Sequence, residues 1–424
     1  MKELNIKIQE MSKIEGHASL EVKVRNDEVE EVKLGFTESK RFFTEAIEGA
    51  SIDTLAQSVS RICGTCSIAH MLCSIEAIEK AMEIKVSKQT MLLKKLTMNG
   101  LMIRDHALHL YLFSLPDVFG KDSVLDFKGK EEKYLKDSFD VKRAGNNLSI
   151  AVAGRAVHPP YPQVGGFASI PKKEELDKCL VELRIARSKV IDLMEVYSKS
   201  KIDYTRKTKF IALCGEFNFL EGPIKTSSGE KIEEKDYFEY LHKIVLPYST
   251  SVGYKFEGET FMLGALARLN LNRKALNKKT LKDANKYLKV FPSNNIFHNN
   301  LAQAIEILHA IDSSVEIIEN NKFAAEEPIK FEKKEGEGIG VIEAPRGILI
   351  HKISVDKNGN VIEGRIVTPT QQNQINIELD IKELVQKNLF KLSKAEIEYE
   401  IEKLIRAYDP CISCATHFLK VNWS

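Results

Sequence analysis

Long apolar runs are absent from this chain of 424 residues. No run reaches the roughly 18–20 residues that a membrane-spanning helix needs. The best candidate, residues 101–115, contains Arg104, Asp105 and two histidines. Residues 1–5 also lack the apolar segment of a signal peptide. We therefore expect a cytoplasmic protein without a membrane span.

The chain also has little net charge and no segment of biased composition. Its formal charge is +2, with 43% hydrophobic and 29% charged residues, which is typical of a globular protein. Such a balance provides no electrostatic basis for binding nucleic acid. Repeats, low-complexity tracts and recognisable linkers are missing as well. We expect residues 1–424 to form a single domain, although the length alone would allow two or three.

Cysteine is scarce but clustered. The chain has seven cysteines, and an odd number with four in C-x-x-C pairs argues against a disulfide framework. Residues 61–70 read R-I-C-G-T-C-S-I-A-H, and residues 409–417 read D-P-C-I-S-C-A-T-H. Four thiolates from two such pairs can bind one soft transition metal. The remaining cysteines stand among apolar residues and are expected to fill the core: Cys73, Cys179 and Cys214.

The separation of the two pairs decides what kind of site they form. A lone C-x-x-C pair would indicate a zinc knuckle, a redox dithiol or no function. Zinc ribbons place their two pairs roughly 15–20 residues apart, whereas Cys63 and Cys411 are 348 positions apart. The sequence therefore predicts a site that the fold of the whole chain assembles.

Hydrophobic periodicity predicts an α+β chain that is mainly α. Alternating apolar residues indicate a hairpin over residues 17–34 and another over 348–367, with Asn358 and Gly359 at its turn. Helical spacing covers residues 51–62, 68–82, 88–115, 174–197 and 300–318. Ser393 and Glu396 form a capping box that opens a last helix, which leads to Cys411.

Both cysteine motifs resemble the R-x-C-G-x-C-x-x-x-H and D-P-C-x-x-C-x-x-H signatures of the nickel–iron hydrogenase large subunit. Further segments match in the order of that family: I-E-G-H at 14–17, G-R-A-V-H-P-P at 154–160, G-G-F at 165–167 and E-A-P-R-G at 343–347. The resemblance covers nearly the whole chain. It implies the catalytic subunit of a hydrogenase, which cleaves dihydrogen reversibly into protons and electrons.

The resemblance also implies the hydrogenase large-subunit fold, with a central bundle of long helices and peripheral β-hairpins. Within one domain we expect a β-rich part at 1–50, a helical core at 51–330 and a β-hairpin region at 331–390. Residues 391–417 would form the C-terminal helix and metal motif. Residues 418–424 would be a removable tail.

For the cofactor, the resemblance implies nickel on Cys63, Cys66, Cys411 and Cys414. Cys66 and Cys414 would also bridge the nickel to an iron with one carbon monoxide and two cyanides. Cys414 would be the first proton acceptor and Glu15 the next. A carboxylate suits a proton relay because burial can raise its pKa towards neutrality.

Other residues would surround this centre. Pro345, Arg346 and Thr370 would line the cyanides, and Asp105 and Asp409 would hold the arginine by charge-assisted hydrogen bonds. An alternative for Asp105 is a surface ion pair with Arg104. His70 would donate a hydrogen bond to a sulfur, or else be a packed helix histidine.

A third metal site departs from the family pattern. The family has a glutamate ligand for magnesium or iron 19 positions before its first cysteine, where this chain has Thr44. Either Glu45 replaces that ligand or the site is altered. The other expected ligands are His417 and the carbonyl of Ile366.

Electrons must leave through a partner, because three remaining cysteines are too few for a chain of iron–sulfur clusters. The resemblance implies a small subunit with such clusters, further electron-transfer subunits like those of cytoplasmic multi-subunit hydrogenases, a nickel chaperone and a maturation protease that cuts after His417. Two alternatives stay open. One is an electron-transfer subunit related to the quinone-site subunit of complex I, and the other is a structural zinc protein.

Overall fold

A three-stranded antiparallel sheet forms the amino-terminal part of the protein. The structure is a computed structural model and describes residues 3–38 and 43–416. The strands are β1 (Leu4–Ile8), β2 (Ala18–Arg25) and β3 (Glu28–Phe36), in that order across the sheet. Every second residue of β2 is buried, and Asn26 and Asp27 form the turn to β3 with φ of 50° and 69°. The predicted first hairpin is confirmed, and β1 adds a strand to it.

Helices make up most of the remaining chain. In chain order they are α1 (Phe43–Ile47), α2 (Ile52–Ser60), α3 (Ser67–Ala81), α4 (Lys88–Ala107), α5 (Leu115–Val118), α6 (Glu132–Ala153), α7 (Lys173–Ser198), α8 (Tyr237–Tyr240), α9 (Ala265–Asn272), α10 (Lys278–Asp283), α11 (Asn285–Leu288), α12 (His298–Asn320), α13 (Pro369–Asn388), α14 (Lys394–Tyr408) and α15 (Ile412–Ala415).

The long helices α4, α6, α7 and α12 pack side by side as a central bundle. A π-helical segment, Leu108–Ser114, joins α4 to α5, so the helix predicted over 88–115 is present with an altered final part. The predicted helices at 174–197 and 300–318 are α7 and α12. Among the described residues, none of the helices is both long and apolar enough to cross a membrane.

Eleven further strands accompany the bundle in the described part of the chain. They are β4 (Pro162–Gln163), β5 (Gly166–Phe167), β6 (Lys209–Leu213), β7 (Ile224–Thr226), β8 (Lys231–Ile232), β9 (Leu241–Val245), β10 (Val252–Phe256), β11 (Phe261–Met262), β12 (Gly336–Ala344), β13 (Gly347–Val355) and β14 (Val361–Val367). Strands β4 to β11 therefore lie within the part expected to be a helical core, and α13 lies within the part expected to be hairpins.

The sheet β12–β13–β14 carries one side of the site. Its last two strands are the hairpin predicted over 348–367. In the first pair, Ala344 lies opposite Gly347, so Pro345 and Arg346 occupy the turn between β12 and β13. The E-A-P-R-G segment is thus the end of a hairpin, and it directs its arginine into the interior.

Strand β12 lies unusually close to α3. A Cβ atom on Gly338 would overlap the carbonyl oxygen of Ala77, and one on Gly340 would overlap the carbonyl oxygen of Cys73. Only glycine permits such a close approach of two backbones. Because α3 follows directly after Cys66, this contact sets how near the hairpin lies to the first cysteine pair.

The carboxyl-terminal motif follows α14. The predicted capping box is present, since the Ser393 amide donates to Glu396 Oε2 at 2.7 Å and the Ser393 hydroxyl accepts from the Glu396 amide. The helix ends at Tyr408, and the capping residue Asp409, with a φ of 54°, turns the chain sharply towards Cys411.

Candidate metal centre

Four cysteine thiols from the two ends of the chain meet in the interior. The Sγ atom of Cys63 lies 3.4 Å from that of Cys411, and Cys66 Sγ lies 2.8 Å from Cys414 Sγ. Cys411 and Cys414 are 3.0 Å apart at sulfur. All four sulfur atoms lie within 4.8 Å of one another, and no member of the group is more than 4% exposed. The two motifs form one site, as their spacing predicts.

Backbone contacts join the two ends of the chain at this site. Glu15 forms a parallel bridge with Cys411, and the amide of Ile412 donates to the carbonyl of Glu15 at 2.9 Å. On the other side, the Cys411 amide donates to the Thr370 hydroxyl at 3.0 Å. The second cysteine motif is therefore held between the amino-terminal segment and the start of α13.

The chemistry of the four sulfurs fits a bound metal cation. Burial raises the pKa of Cys411 and of Cys414 well above the usual thiol value. Hydrogen bonds from the thiols of Cys411, Cys414 and Cys66 lower the pKa of Cys63. A bound metal cation favours the thiolate forms that coordinate it, and so opposes the effect of burial on these thiols. Four buried, soft sulfur donors fit a soft transition metal such as nickel.

Arg346 is fixed beside the second motif by two carboxylates. Its Nη1 donates to Asp105 Oδ2 and its Nη2 to Asp409 Oδ1, both at 2.9 Å. Its Nε donates to the Asp409 carbonyl at 2.6 Å. Burial alone would lower the pKa of Arg346, but Asp105 and Asp409 raise it well above its usual value. The guanidinium is therefore a permanent buried cation with a fixed orientation.

Asp105 is not paired with Arg104, so the alternative of a surface ion pair is wrong. Both residues are buried, at 2% and 6% exposure. Arg104 instead donates through Nη2 to the carbonyl of Thr65 at 2.7 Å. Thr65 in turn has its hydroxyl 3.1 Å from Cys63 Sγ. Arg104 thereby supports the loop between the two cysteines of the first pair.

Glu15 reaches the sulfur cluster through its side chain. Its Oε2 lies 3.1 Å from Cys411 Sγ and accepts from the Ser413 amide at 3.1 Å. Burial, with a smaller contribution from the charge of Cys63, raises the pKa of Glu15. The carboxylate thus contacts Cys411 directly, and it is connected to Cys414 only through the sulfur of Cys411.

His70 lies on the other side of the cluster. Its Nε2 is 3.6 Å from Cys414 Sγ, and its Nδ1 is 3.1 Å from His351 Nε2. Burial lowers the pKa of His70 to about 4, so the ring is neutral. His351 is fully buried as well, and the sequence motifs did not predict that it belongs to the site.

The residues expected to form a third metal site come together only in part. Thr44 and Ile366 line one cavity of about 520 Å³, together with the charged side chains of Lys243, Glu363 and Arg365. Glu45 is exposed and is not among the lining residues. His417 lies outside the described residues. Thr44 brings no carboxylate to this cavity, and Glu363 is the acidic residue among those that line it.

Comparison with known proteins identifies the family. The family model described as nickel-dependent hydrogenase matches residues 43–147 and 226–417, which include all four cysteines. The chain belongs to the nickel-dependent hydrogenase family. The alpha chain of sulfhydrogenase 2 from Pyrococcus furiosus is 31% identical over 98% of this chain and 100% of that protein. One subunit of the F420-non-reducing hydrogenase vhu from Methanocaldococcus jannaschii is 29% identical over 90% of this chain and 98% of that protein.

Solved structures show the same fold. An NAD+-reducing [NiFe]-hydrogenase in the H2-reduced state superposes with a TM-score of 0.85 at 23% identity, covering 98% of this chain and 99% of that one. The Ni-Fe-Se hydrogenase of D. vulgaris Hildenborough superposes with a TM-score of 0.77 at 20% identity, covering 98% and 100%. The expected fold, α+β and mainly α with the architecture of the hydrogenase large subunit, is confirmed.

This hydrogenase is a catalytic subunit with a Ni–Fe centre, and it acts as an oxidoreductase on dihydrogen. Nothing supports the two alternatives, a complex I-like electron-transfer subunit or a structural zinc protein. The family match and the buried four-sulfur cluster agree on nickel.

Proposed function

We propose that Cys63, Cys66, Cys411 and Cys414 would hold the nickel, and that Cys66 and Cys414 would also hold an iron with two cyanides and one carbon monoxide. The cluster of four buried sulfurs within 4.8 Å of one another carries this proposal. When bound, such a centre supplies heterolytic cleavage of dihydrogen, which yields two protons and two electrons in all.

Glu15 would take protons away from the sulfurs. Its Oε2 is 3.1 Å from Cys411 Sγ, within reach for direct proton transfer. The family resemblance favours Cys414 as the first acceptor, and its sulfur lies 3.0 Å from that of Cys411. We therefore propose that protons pass from Cys414 or Cys411 to Glu15, with Cys411 as the immediate donor.

Arg346 would supply a fixed positive charge at the centre. Asp105 and Asp409 orient its guanidinium. The planar guanidinium can bind both carboxylates in a fixed orientation, whereas the ammonium group of a lysine could not. Thr370 accepts from the Cys411 amide, which leaves its hydroxyl hydrogen to donate to a cyanide nitrogen. Arg346 and Thr370 would donate hydrogen bonds to the cyanides in a buried site, and Pro345 would line them.

His70 would tune the sulfur of Cys414. The neutral ring can donate through Nε2 to that sulfur only if Nδ1 accepts, and His351 Nε2 is the neighbour from which it would accept. At the third site, Ile366 offers its carbonyl to magnesium or iron. Glu45 would have to turn inward to join it, with His417 as the remaining ligand.

The electrons that the reaction releases need an acceptor in a partner subunit. Four of the seven cysteines form the cluster, and the other three are buried separately. We propose an iron–sulfur small subunit that docks near the exposed Gly64 and the loop at 154–167, and further electron-transfer subunits beyond it. We also propose a cytoplasmic location, as for multi-subunit enzymes of this kind.

Maturation would complete the site. A nickel chaperone would load the metal, and a protease would then remove residues 418–424 after His417; these residues lie outside the described part. The chain would fold as one domain, which is supported by a hydrophobic core that contains buried residues from β1 to α15.

Elemental analysis and infrared spectroscopy of the purified, assembled enzyme test this function. We expect nickel and iron, and stretching bands of bound carbon monoxide and cyanide. Zinc as the only metal would support the structural alternative. No metal would support the complex I-like alternative.

A further inference from the structure

A second buried arginine lies behind the turn that carries Arg346. Arg268 is in α9 and is 2% exposed. Its Nε and Nη2 donate to the two oxygens of Glu306 at 2.6 and 2.7 Å. Its Nη1 donates to Glu343 Oε2 at 2.6 Å. One guanidinium is thus shared between two buried carboxylates.

The same guanidinium also binds the backbone of the turn. Nη1 of Arg268 donates to the Ala344 carbonyl at 3.2 Å, and Nη2 donates to the Pro345 carbonyl at 2.9 Å. With the Glu343 side chain, three consecutive residues before Arg346 are bound by one side chain. A planar fork with five donors can do this, whereas a single ammonium cannot.

The partners of Arg268 are themselves anchored. Glu343 Oε1 accepts from the Leu213 amide at 2.8 Å, and Glu306 Oε2 lies 3.0 Å from His106 Nε2. Burial acts to raise the pKa of Glu306, but Arg268 beside it holds that pKa below its usual value. The cluster therefore joins β6, α4 and α12 to the turn, and loss of its cation would leave buried charge unpaired.

We propose that Arg268 is a positioning residue for hydrogen cleavage. It holds the backbone of the Ala344–Pro345 peptide, while Asp105 and Asp409 hold the guanidinium of Arg346. The two ends of the Arg346 side chain are then fixed independently, and its charge stays in one place beside the sulfur cluster. The inference rests on the proposed role of Arg346.

Arg268→Lys tests this role, because lysine keeps the charge but cannot bind two carboxylates and two carbonyls at once. A misplacement of about 1 Å can cost roughly 100-fold in rate, so we expect kcat to fall about 10- to 100-fold. The KM for dihydrogen should change less than about twofold, because Arg268 does not bind the substrate. The cyanide infrared bands should broaden or split, since Arg346 would occupy several positions.

Arg187→Lys is the matched control. Arg187 in α7 also binds two carboxylates, the buried Asp312 at 2.7 and 3.1 Å and the half-buried Asp283 at 2.6 Å. These partners lie in α12 and α10, away from the turn. We expect a similar loss of thermal stability, but a parental kcat and unchanged cyanide bands.

Arg346→Lys, measured in parallel, separates the inference from the proposed function. Parental kcat and bands in Arg268→Lys, with slow turnover in Arg346→Lys, would overturn the inference alone. Parental turnover in Arg346→Lys would overturn the proposed role of Arg346. Equal spectral changes in the Arg268 and Arg187 variants would show a general loss of stability and also reject the inference. If Arg268→Lys does not fold, Glu343→Gln replaces it with the same expected broadening.

Discussion

Replacing Glu15 by glutamine should separate proton transfer from assembly of the metal centre. In the protein, Glu15 Oε2 accepts from the Ser413 amide and lies 3.1 Å from Cys411 Sγ. Glutamine has the same shape, and its amide oxygen can still accept from Ser413. Its amide group cannot receive and release a proton near neutral pH, so only the relay is lost.

The size of the effect follows from the role of a general base. A positioned acid–base group contributes about 10²- to 10⁴-fold to a rate, which corresponds to about 3–5 kcal/mol of the barrier. The 3.1 Å contact leaves no room for a water between Glu15 and Cys411. We therefore expect proton–deuterium exchange in Glu15→Gln to fall by about 10²- to 10⁴-fold.

Exchange is measured with deuterium gas in ordinary water, beside nickel content and infrared spectra. Nickel, carbon monoxide and cyanide should be retained in Glu15→Gln. Glu378→Gln is the control, because Glu378 also accepts from a backbone amide, that of Leu34 at 2.9 Å, but belongs to α13 and contacts Tyr248 instead of a cysteine. Its exchange should be parental. Parental exchange in Glu15→Gln would mean that another route carries the proton.

Further predictions concern the arginine, a buried carboxyl group and the end of the chain. Arg346→Lys should retain nickel but lower kcat about 10²- to 10³-fold, as for loss of one oriented electrostatic donor; turnover like the parent would make Arg346 an ordinary turn residue. Burial raises the pKa of Glu378 to about 7, from a usual value of 4.5. Because the folded-state pKa lies above the unfolded one, the parent loses stability as pH rises from 4.5 to 7. The free energy of unfolding of Glu378→Gln, measured by urea denaturation, should therefore exceed that of the parent by about 1–3 kcal/mol at pH 8 and match it at pH 4. The intact mass of active enzyme should correspond to a chain that ends at His417, and active enzyme that ends at Ser424 would reject processing.

Short motifs allowed much of the site to be predicted from sequence. The two C-x-x-C pairs are chemically specific, and the order of the other motifs located Glu15 and Arg346 relative to them. The same patterns did not predict β12. Glycines at every second position, Gly336, Gly338 and Gly340, indicate a loop and not a strand. In the fold these glycines allow the strand to lie against α3, a contact that no local pattern indicates.

Residues that act through distant partners were not predicted. Arg268 binds side chains 38 and 75 positions away, and His351 contacts His70 across 281 positions. A charged residue within the apolar run 261–269 was the available signal for Arg268. It could indicate that the side chain is buried and paired, but its partners depend on the packing of α9 against α12 and β12.

Nickel content in Cys411→Ser, beside Cys73→Ser, tests the central claim most directly. Both cysteines are buried, but Cys73 donates to the Gly340 carbonyl at 3.3 Å and does not belong to the four-sulfur cluster. Serine replaces a soft ligand with a hard hydroxyl that is mostly protonated. We predict that Cys411→Ser loses nickel and Cys73→Ser retains it in full. Full nickel in Cys411→Ser would contradict the assignment of the metal centre.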